Sequence, residues 1–179
     1  MAERIFGKPI ITQVEMQRRI KELGRRISID YEGKDLLVVG VLKGAFAFFA
    51  DLIRAIRLPV RVDFIMVSSY GVKSKPAGRV KVISDLKEDI TGQDVLIVED
   101  IVDSGLTVNS LKKSLLSRRP KSLKFCALLD KPERRKIDVV IDYVGFKIPN
   151  KYVIGYGLDY QDKYRNLPYI AALENVDEE

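Results

Sequence analysis

The stretch Val95-Leu96-Ile97-Val98-Glu99-Asp100-Ile101-Val102-Asp103-Ser104-Gly105-Leu106-Thr107 constrains this chain more than any other. Residues 95–98 are wholly apolar and partly β-branched, the signature of a short strand buried on both faces of a parallel sheet. In such sheets ligands bind beyond the carboxyl ends of the strands, where Glu99 and Asp100 are expected to fall. Residues 103–107 then supply backbone N–H groups, a Gly that permits positive φ, and two hydroxyls at the start of a helical pattern. Such a turn cradles phosphate. An ordinary β–turn–α unit, with Asp103, Ser104 or Thr107 as helix N-cap, would account for the turn alone. It does not account for three carboxylates within five residues, which repel one another unless a cation sits among them. The pattern therefore points to a ligand that carries phosphate together with hydroxyls or Mg²⁺.

Bulk properties narrow the class. A chain of 179 residues, 46% hydrophobic and 31% charged, is expected to form a single domain, 1–179, with a real core. It contains no apolar run of membrane-spanning length and no apolar signal core, so a cytoplasmic protein without membrane contact is expected. Its single cysteine, Cys126, sits among apolar neighbours and reads as an inert core thiol. A net charge of +6 suits an anionic ligand or a solvated basic surface. Arg18, Arg19, Arg25 and Arg26 cluster in one predicted helix, and Arg118, Arg119, Lys121, Arg134, Arg135 and Lys136 are scattered over helix ends and loops. No aromatic residues interleave them, so nucleic acid is not the expected partner. The chain has no histidine, which removes Ser-His and Cys-His schemes and leaves acid–base work to carboxylate, Lys or Tyr.

Periodicity predicts helices over 14–27, after 43–45, and over 107–116. It predicts strands over 36–42, 60–67, 80–83, 95–98, 123–129, 139–144 and 152–156. Residues 68–79 read as a long polar loop. Strands alternating with helices give an α/β fold with a mainly parallel twisted sheet flanked by helices.

The wording of residues 98–107 resembles the signature of phosphoribosyltransferases that bind 5-phosphoribosyl-1-diphosphate (PRPP), in their hypoxanthine-guanine branch. The likeness extends to Val41-Leu42-Lys43-Gly44, Ser68-Ser69-Tyr70, Leu128-Leu129-Asp130-Lys131, and Val153-Ile154-Gly155-Tyr156-Gly157-Leu158-Asp159-Tyr160, and ends in Tyr164-Arg165-Asn166-Leu167. It implies the type I phosphoribosyltransferase fold with a small hood. It also implies Mg²⁺-dependent transfer of ribose 5-phosphate to N9 of hypoxanthine or guanine, giving IMP or GMP and pyrophosphate.

Carried over residue by residue, Asp103, Ser104, Gly105, Leu106 and Thr107 would hold the 5′-phosphate, and Asp103 would also be the general base near purine N7. Glu99 and Asp100 would face the ribose and Mg²⁺, with Asp159 as a further metal ligand beside the base. Lys43 and Gly44 would form the pyrophosphate loop, which in the family contains a non-proline cis peptide, and Arg165 would add a cation. Lys131 would donate to purine O6, Tyr152 would stack on the base, and Val153 would offer backbone groups to its edge. Ser68, Ser69 and Tyr70 would head a lid loop. A homodimer or homotetramer is implied.

Ala45 and Leu106 depart from relatives that carry Gly and Lys at the matching positions. A nucleotide-sensing regulator on the same fold, binding RNA or DNA, is the alternative; it need not keep Asp103, Lys131, Tyr152 and Asp159 together. A P-loop or dinucleotide reading fails, because Gly105 is not followed by Lys-Ser/Thr and Gly155-Tyr156-Gly157 lacks a third Gly.

Overall fold

The computed structural model describes residues 6–69 and 80–174. In chain order these form β1 (Phe6–Ile11), α1 (Gln13–Asp30), β2 (Leu36–Leu42), α2 (Phe46–Ala55), β3 (Val60–Ser69), β4 (Val80–Ser84) and β5 (Asp94–Val102). There follow α3 (Leu106–Leu116), β6 (Ser122–Asp130), a 3₁₀ turn (Pro132–Arg134), β7 (Tyr143–Lys147), β8 (Val153–Ile154) and β9 (Ile170–Leu173).

The main sheet has the order β4-β3-β2-β5-β6-β7. It is parallel except for β4, which pairs antiparallel with β3 at one edge. Residues 36–41 of β2 and 95–98 of β5 are buried at every successive position because both faces are covered. Val38, Leu96 and Val98 face α1 and α2, meeting Ile20, Leu23, Phe48 and Leu52. Leu37, Val39, Val95 and Ile97 face the other way, onto Val108, Leu111 and Leu115 of α3. The period-2 alternation of each strand thus feeds two cores, one on each side. A capping box starts α1: the Glu15 amide donates to Thr12 Oγ1 at 3.3 Å, and the Thr12 amide donates to Glu15 Oε2 at 2.8 Å.

The small hood is a separate antiparallel sheet of order β1-β9-β8. Sequence periodicity did not predict β1 or β9. Both are short, and β1 carries Pro9 amid two register shifts, so only the pairing itself defines them. Expectations are corrected elsewhere too. The strand expected over 139–144 starts only at Tyr143, where it pairs with Cys126. Ahead of it, Val139 and Ile141 pack on the α3-side core outside any ladder, and the Phe125 amide donates to the Asp142 carboxylate at 2.9 Å. The strand expected over 152–156 shrinks to β8, because Gly155 and Tyr156 turn at φ values of 97° and 51°. Ser68 and Ser69, expected at the start of a loop, instead end β3, opposite Lys81 and Val80. Tyr70 and the rest of the expected lid, 71–79, lie outside the described residues.

Glu99 and Asp100 do not lie past the strand either. β5 runs on to Val102, with Glu99 opposite Ala127 and Ile101 opposite Leu129. The two carboxylates therefore ride on a paired strand near the carboxyl end of the sheet, a stiffer mounting than a loop would give.

Candidate active site

A cavity of about 770 Å³ opens at the carboxyl ends of β2, β5 and β6. Its lining unites Lys43, Gly44, Glu99, Asp100, Lys131, Tyr152, Val153, Asp159 and Arg165 with the whole turn from Asp103 to Thr107. Residues far apart in sequence and assigned separately above thus meet in one place. Ser68 does not line it, although its neighbour Val67 does.

One wall is the turn into α3. The N-cap is Gly105 at φ 83°, not Asp103, Ser104 or Thr107. The reason is geometric, since only Gly takes the left-handed conformation without strain, and a Cβ there would collide with the Ile137 carbonyl. The Lys136 and Ile137 amides clasp the turn from outside, donating to Ser104 O at 2.9 and 3.1 Å. The Leu106 amide donates to Ser104 Oγ at 3.4 Å, while the Gly105 N-cap offers no side chain to the following amides of α3, which are open to an anion that the helix dipole also favours. Asp103 is left to face the cavity, its Oδ1 3.3 Å from Arg134 Nε.

Deeper in, Glu99 is buried and its Oε2 has no hydrogen-bond partner among the described residues. Burial, reinforced by Asp100, holds its carboxyl well above the usual carboxylate range. Burial also raises Asp100 from 3.8 to about 6, against the opposing pull of the Ile101 amide and Arg165. Backbone crowds this pair: a Cβ on Gly44 would collide with the Asp100 carboxylate, and one on Gly157 would collide with the Gly44 carbonyl. The Leu42–Lys43 peptide just before Gly44 is cis, as the resemblance implied.

Buried carboxylates held near neutrality respond to pH in a definable direction. Between about pH 4 and pH 6 the folded protein keeps a proton on Asp100 that the unfolded chain has lost, so stability falls as pH rises through this window. Asp100→Asn removes that cost. Its melting temperature should match wild type near pH 4 and exceed it at pH 7.5, with a shallower decline between. Parallel curves for the two proteins would show that Asp100 titrates normally.

The opposite wall carries a compact charge array. Arg165 pairs with Asp159 at 2.6 Å and with Asp162 at 3.3 Å, and donates to the Gly157 carbonyl at 2.7 Å. Lys43 Nζ lies 3.1 Å from Asp162. Asp162 was not among the residues singled out from the sequence; its position three residues after Asp159 and three before Arg165 was the available signal. Tyr152 is 38% exposed, edge-on to Tyr160 at 5.7 Å, with its hydroxyl 3.3 Å from the Asp159 carbonyl. Tyr152 thus lines the cavity while remaining partly open to solvent.

Lys131 is 3% exposed, an unusual burial for a lysine. Its amide donates to Val102 O at 2.9 Å, continuing the β5–β6 pairing by one residue. Directly before it Asp130 forms a buried ion pair with Arg135, which anchors the loop carrying Arg134 and Lys136. Both of those line the cavity, yet the sequence showed them only as scattered basic residues. Their proximity to Lys131 was the only clue.

Among the described residues, no group of three or more His, Cys, Asp or Glu side chains is arranged to hold a metal. Glu99 Oε2 without a partner and the crowded carboxylates nevertheless fit a cation that takes most of its ligands from water and substrate oxygens, as Mg²⁺ does.

Comparison with known proteins agrees with this geometry. The family model for the phosphoribosyl transferase domain matches residues 10–161. The chain is 48% identical to hypoxanthine phosphoribosyltransferase of Salmonella typhimurium, over 94% of this chain and 96% of that protein. A crystal structure of a hypoxanthine-guanine phosphoribosyltransferase from Bacillus anthracis superposes with a TM-score of 0.90 at 49% identity, covering 94% of this chain and 99% of that one. The Trypanosoma cruzi hypoxanthine phosphoribosyltransferase in complex with the product IMP gives a TM-score of 0.89 at 46% identity, covering 98% of each. The chain belongs to the phosphoribosyltransferase family, in its hypoxanthine-guanine branch.

Proposed function

We propose that the protein transfers 5-phosphoribosyl from PRPP to N9 of hypoxanthine or guanine, giving IMP or GMP and pyrophosphate in purine salvage. Membership of the hypoxanthine-guanine branch, with an anion-ready helix terminus, buried carboxylates and a buried lysine lining one cavity, is what carries this reading. The C1′–O bond to diphosphate breaks, the C1′–N9 bond forms, and the purine loses a proton. The α3 terminus from Asp103 to Thr107 binds the 5′-phosphate through amides and hydroxyls. Lys43, Gly44 and Arg165 receive the diphosphate. For this their pairs with Asp162 and Asp159 must open.

Bound Mg²⁺ would neutralise the diphosphate as leaving group, with Glu99, Asp100 and Asp159 supplying the protein's share of negative charge. The same charge favours oxocarbenium character at the ribose. Asp103 accepts the purine proton at N7 as general base. Its pair with Arg134 orients the carboxylate toward the cavity. Tyr152 stacks on the base, and Val153 offers backbone groups to its edge. Residues 1–179 work as one cytoplasmic domain without membrane contact, and as a homodimer or homotetramer; no described helix is long and apolar enough to cross a membrane.

Lys131 is the proposed reader of purine O6. Adenine presents a donor at that position, so a lysine ammonium rejects it. The experiment that tests the function is a panel of purines with PRPP and Mg²⁺, following pyrophosphate release. Hypoxanthine and guanine should turn over and adenine should not; release with none of them would leave a binding protein. In the same assay Lys131→Gln should lower turnover of both 6-oxopurines by a loss of ~1.5–3 kcal/mol, roughly ten- to hundredfold. Unchanged turnover and unchanged rejection of adenine would take the O6 role away from Lys131.

A further inference from the structure

Helices α1 and α2 approach so closely at Gly24 that a Cβ there would collide with the backbone of Ala55. This contact has an electrostatic result. Lys21 and Arg25 lie on α1 one turn apart around Gly24, while Arg54 and Arg57 flank Ala55 at the end of α2. All four are exposed, and all four line one cleft of about 540 Å³. The single carboxylate in the lining, Asp51, is already shared, because it pairs with Arg54 and accepts a hydrogen bond from the Tyr156 hydroxyl. Among the described residues Lys21, Arg25 and Arg57 have no ion-pair partner. The fold therefore holds like charges together through a backbone contact and leaves most of them uncompensated. This cleft shares no lining residue with the active-site cavity.

We propose that this cleft is a second anion site that takes a polyphosphate chain, either free or carried by a nucleoside. The two uncompensated arginine forks and a lysine, with Arg54 held beside them by Asp51, match several phosphate oxygens at once, which one phosphate could not satisfy. The volume lies in the range of small-molecule sites. No aromatic ring lines the cleft, so it lacks the stacking surface that single-stranded nucleic acid uses.

The test is calorimetric titration of the full chain with inorganic tripolyphosphate, and in a parallel arm with a nucleoside triphosphate. Lys43→Gln/Arg165→Gln is the background, so that diphosphate binding at the active site does not contribute. One site per chain is expected, weakening as salt rises. Adding Arg25→Gln/Arg57→Gln should weaken it by at least about tenfold, since each substitution removes charge-assisted bonds. In the otherwise wild-type protein that pair should leave the melting temperature and turnover without polyphosphate unchanged. Lys21→Glu, a single exposed change, should weaken binding in the same direction. Tighter binding of the nucleoside triphosphate assigns the nucleotide, and equal affinity assigns the bare chain. Lack of saturable binding, or binding indifferent to these variants, overturns the proposal. So does binding of an RNA oligonucleotide without tripolyphosphate binding, or sedimentation showing that the variants act by dissociating a self-associated form.

Discussion

Asp103→Asn is expected to slow the chemical step by ~10²–10⁴-fold, the usual effect of losing a general base. The fold and PRPP binding should be almost untouched. Asn keeps the size of the side chain and an oxygen for Arg134, and the α3 N-cap is Gly105, so no capping interaction is lost. Single-turnover kinetics are the proper measurement, because slow product release can hide a chemical defect in the steady state. A wild-type single-turnover rate would move the base to Glu99 or Asp100. Both are held toward their protonated forms in the ligand-free protein. A base at Asp100 should then make the rate climb with pH through the region near 6, and one at Glu99 should make it climb above the usual carboxylate range.

Excess chelator is expected to abolish turnover, and added Mg²⁺ to restore it. A diphosphate leaving group carries more negative charge than Lys43 and Arg165 alone can offset, particularly while Asp159 and Asp162 compete for them. Charge neutralisation of this kind is worth several kcal/mol in the transition state. Glu99→Gln/Asp100→Asn should raise the Mg²⁺ concentration needed for half-maximal rate. Full activity in chelator would remove the metal roles of Glu99, Asp100 and Asp159 together.

The central β–turn–α unit was legible in the sequence because its pattern is local. Four apolar residues, then acids, then Asp103-Ser104-Gly105, can form little else, and β5 and α3 lie where that pattern points. Where reading failed, a longer-range interaction had decided the outcome. Asp, Ser and Thr near a helix start suggest a side-chain cap, yet the clasp of Lys136 and Ile137 on Ser104 favours Gly105 in the left-handed conformation. Glu99 and Asp100 look like loop residues by polarity, but pairing with β6 carries the strand through them. Lys131, Tyr152 and Arg165 were legible only by resemblance, since a single Lys or Tyr has no signal of its own. Arg134 and Asp162 were missed for the same reason, being charged residues among many until the fold brings Arg134 to the cavity and Asp162 against Lys43 and Arg165.

The hood gives the two halves of the cavity different folding histories. The phosphate wall needs β5, α3 and the strands that pair with β5, contacts that all fall between Leu36 and Ile137 and use neither end of the chain. Behind Tyr152 and Val153, the purine wall rests on β8, which among the described residues pairs only with β9, and β9 in turn with β1, joining Ile154 to Ala171 and Phe6 to Leu173. Closing so long a loop is entropically costly and raises the contact order of that wall above that of the phosphate wall. A chain emerging from a ribosome can therefore complete its phosphate grip well before it can hold a base. Native-state hydrogen exchange should find the same asymmetry at equilibrium, with β8 and β9 opening more readily than β5.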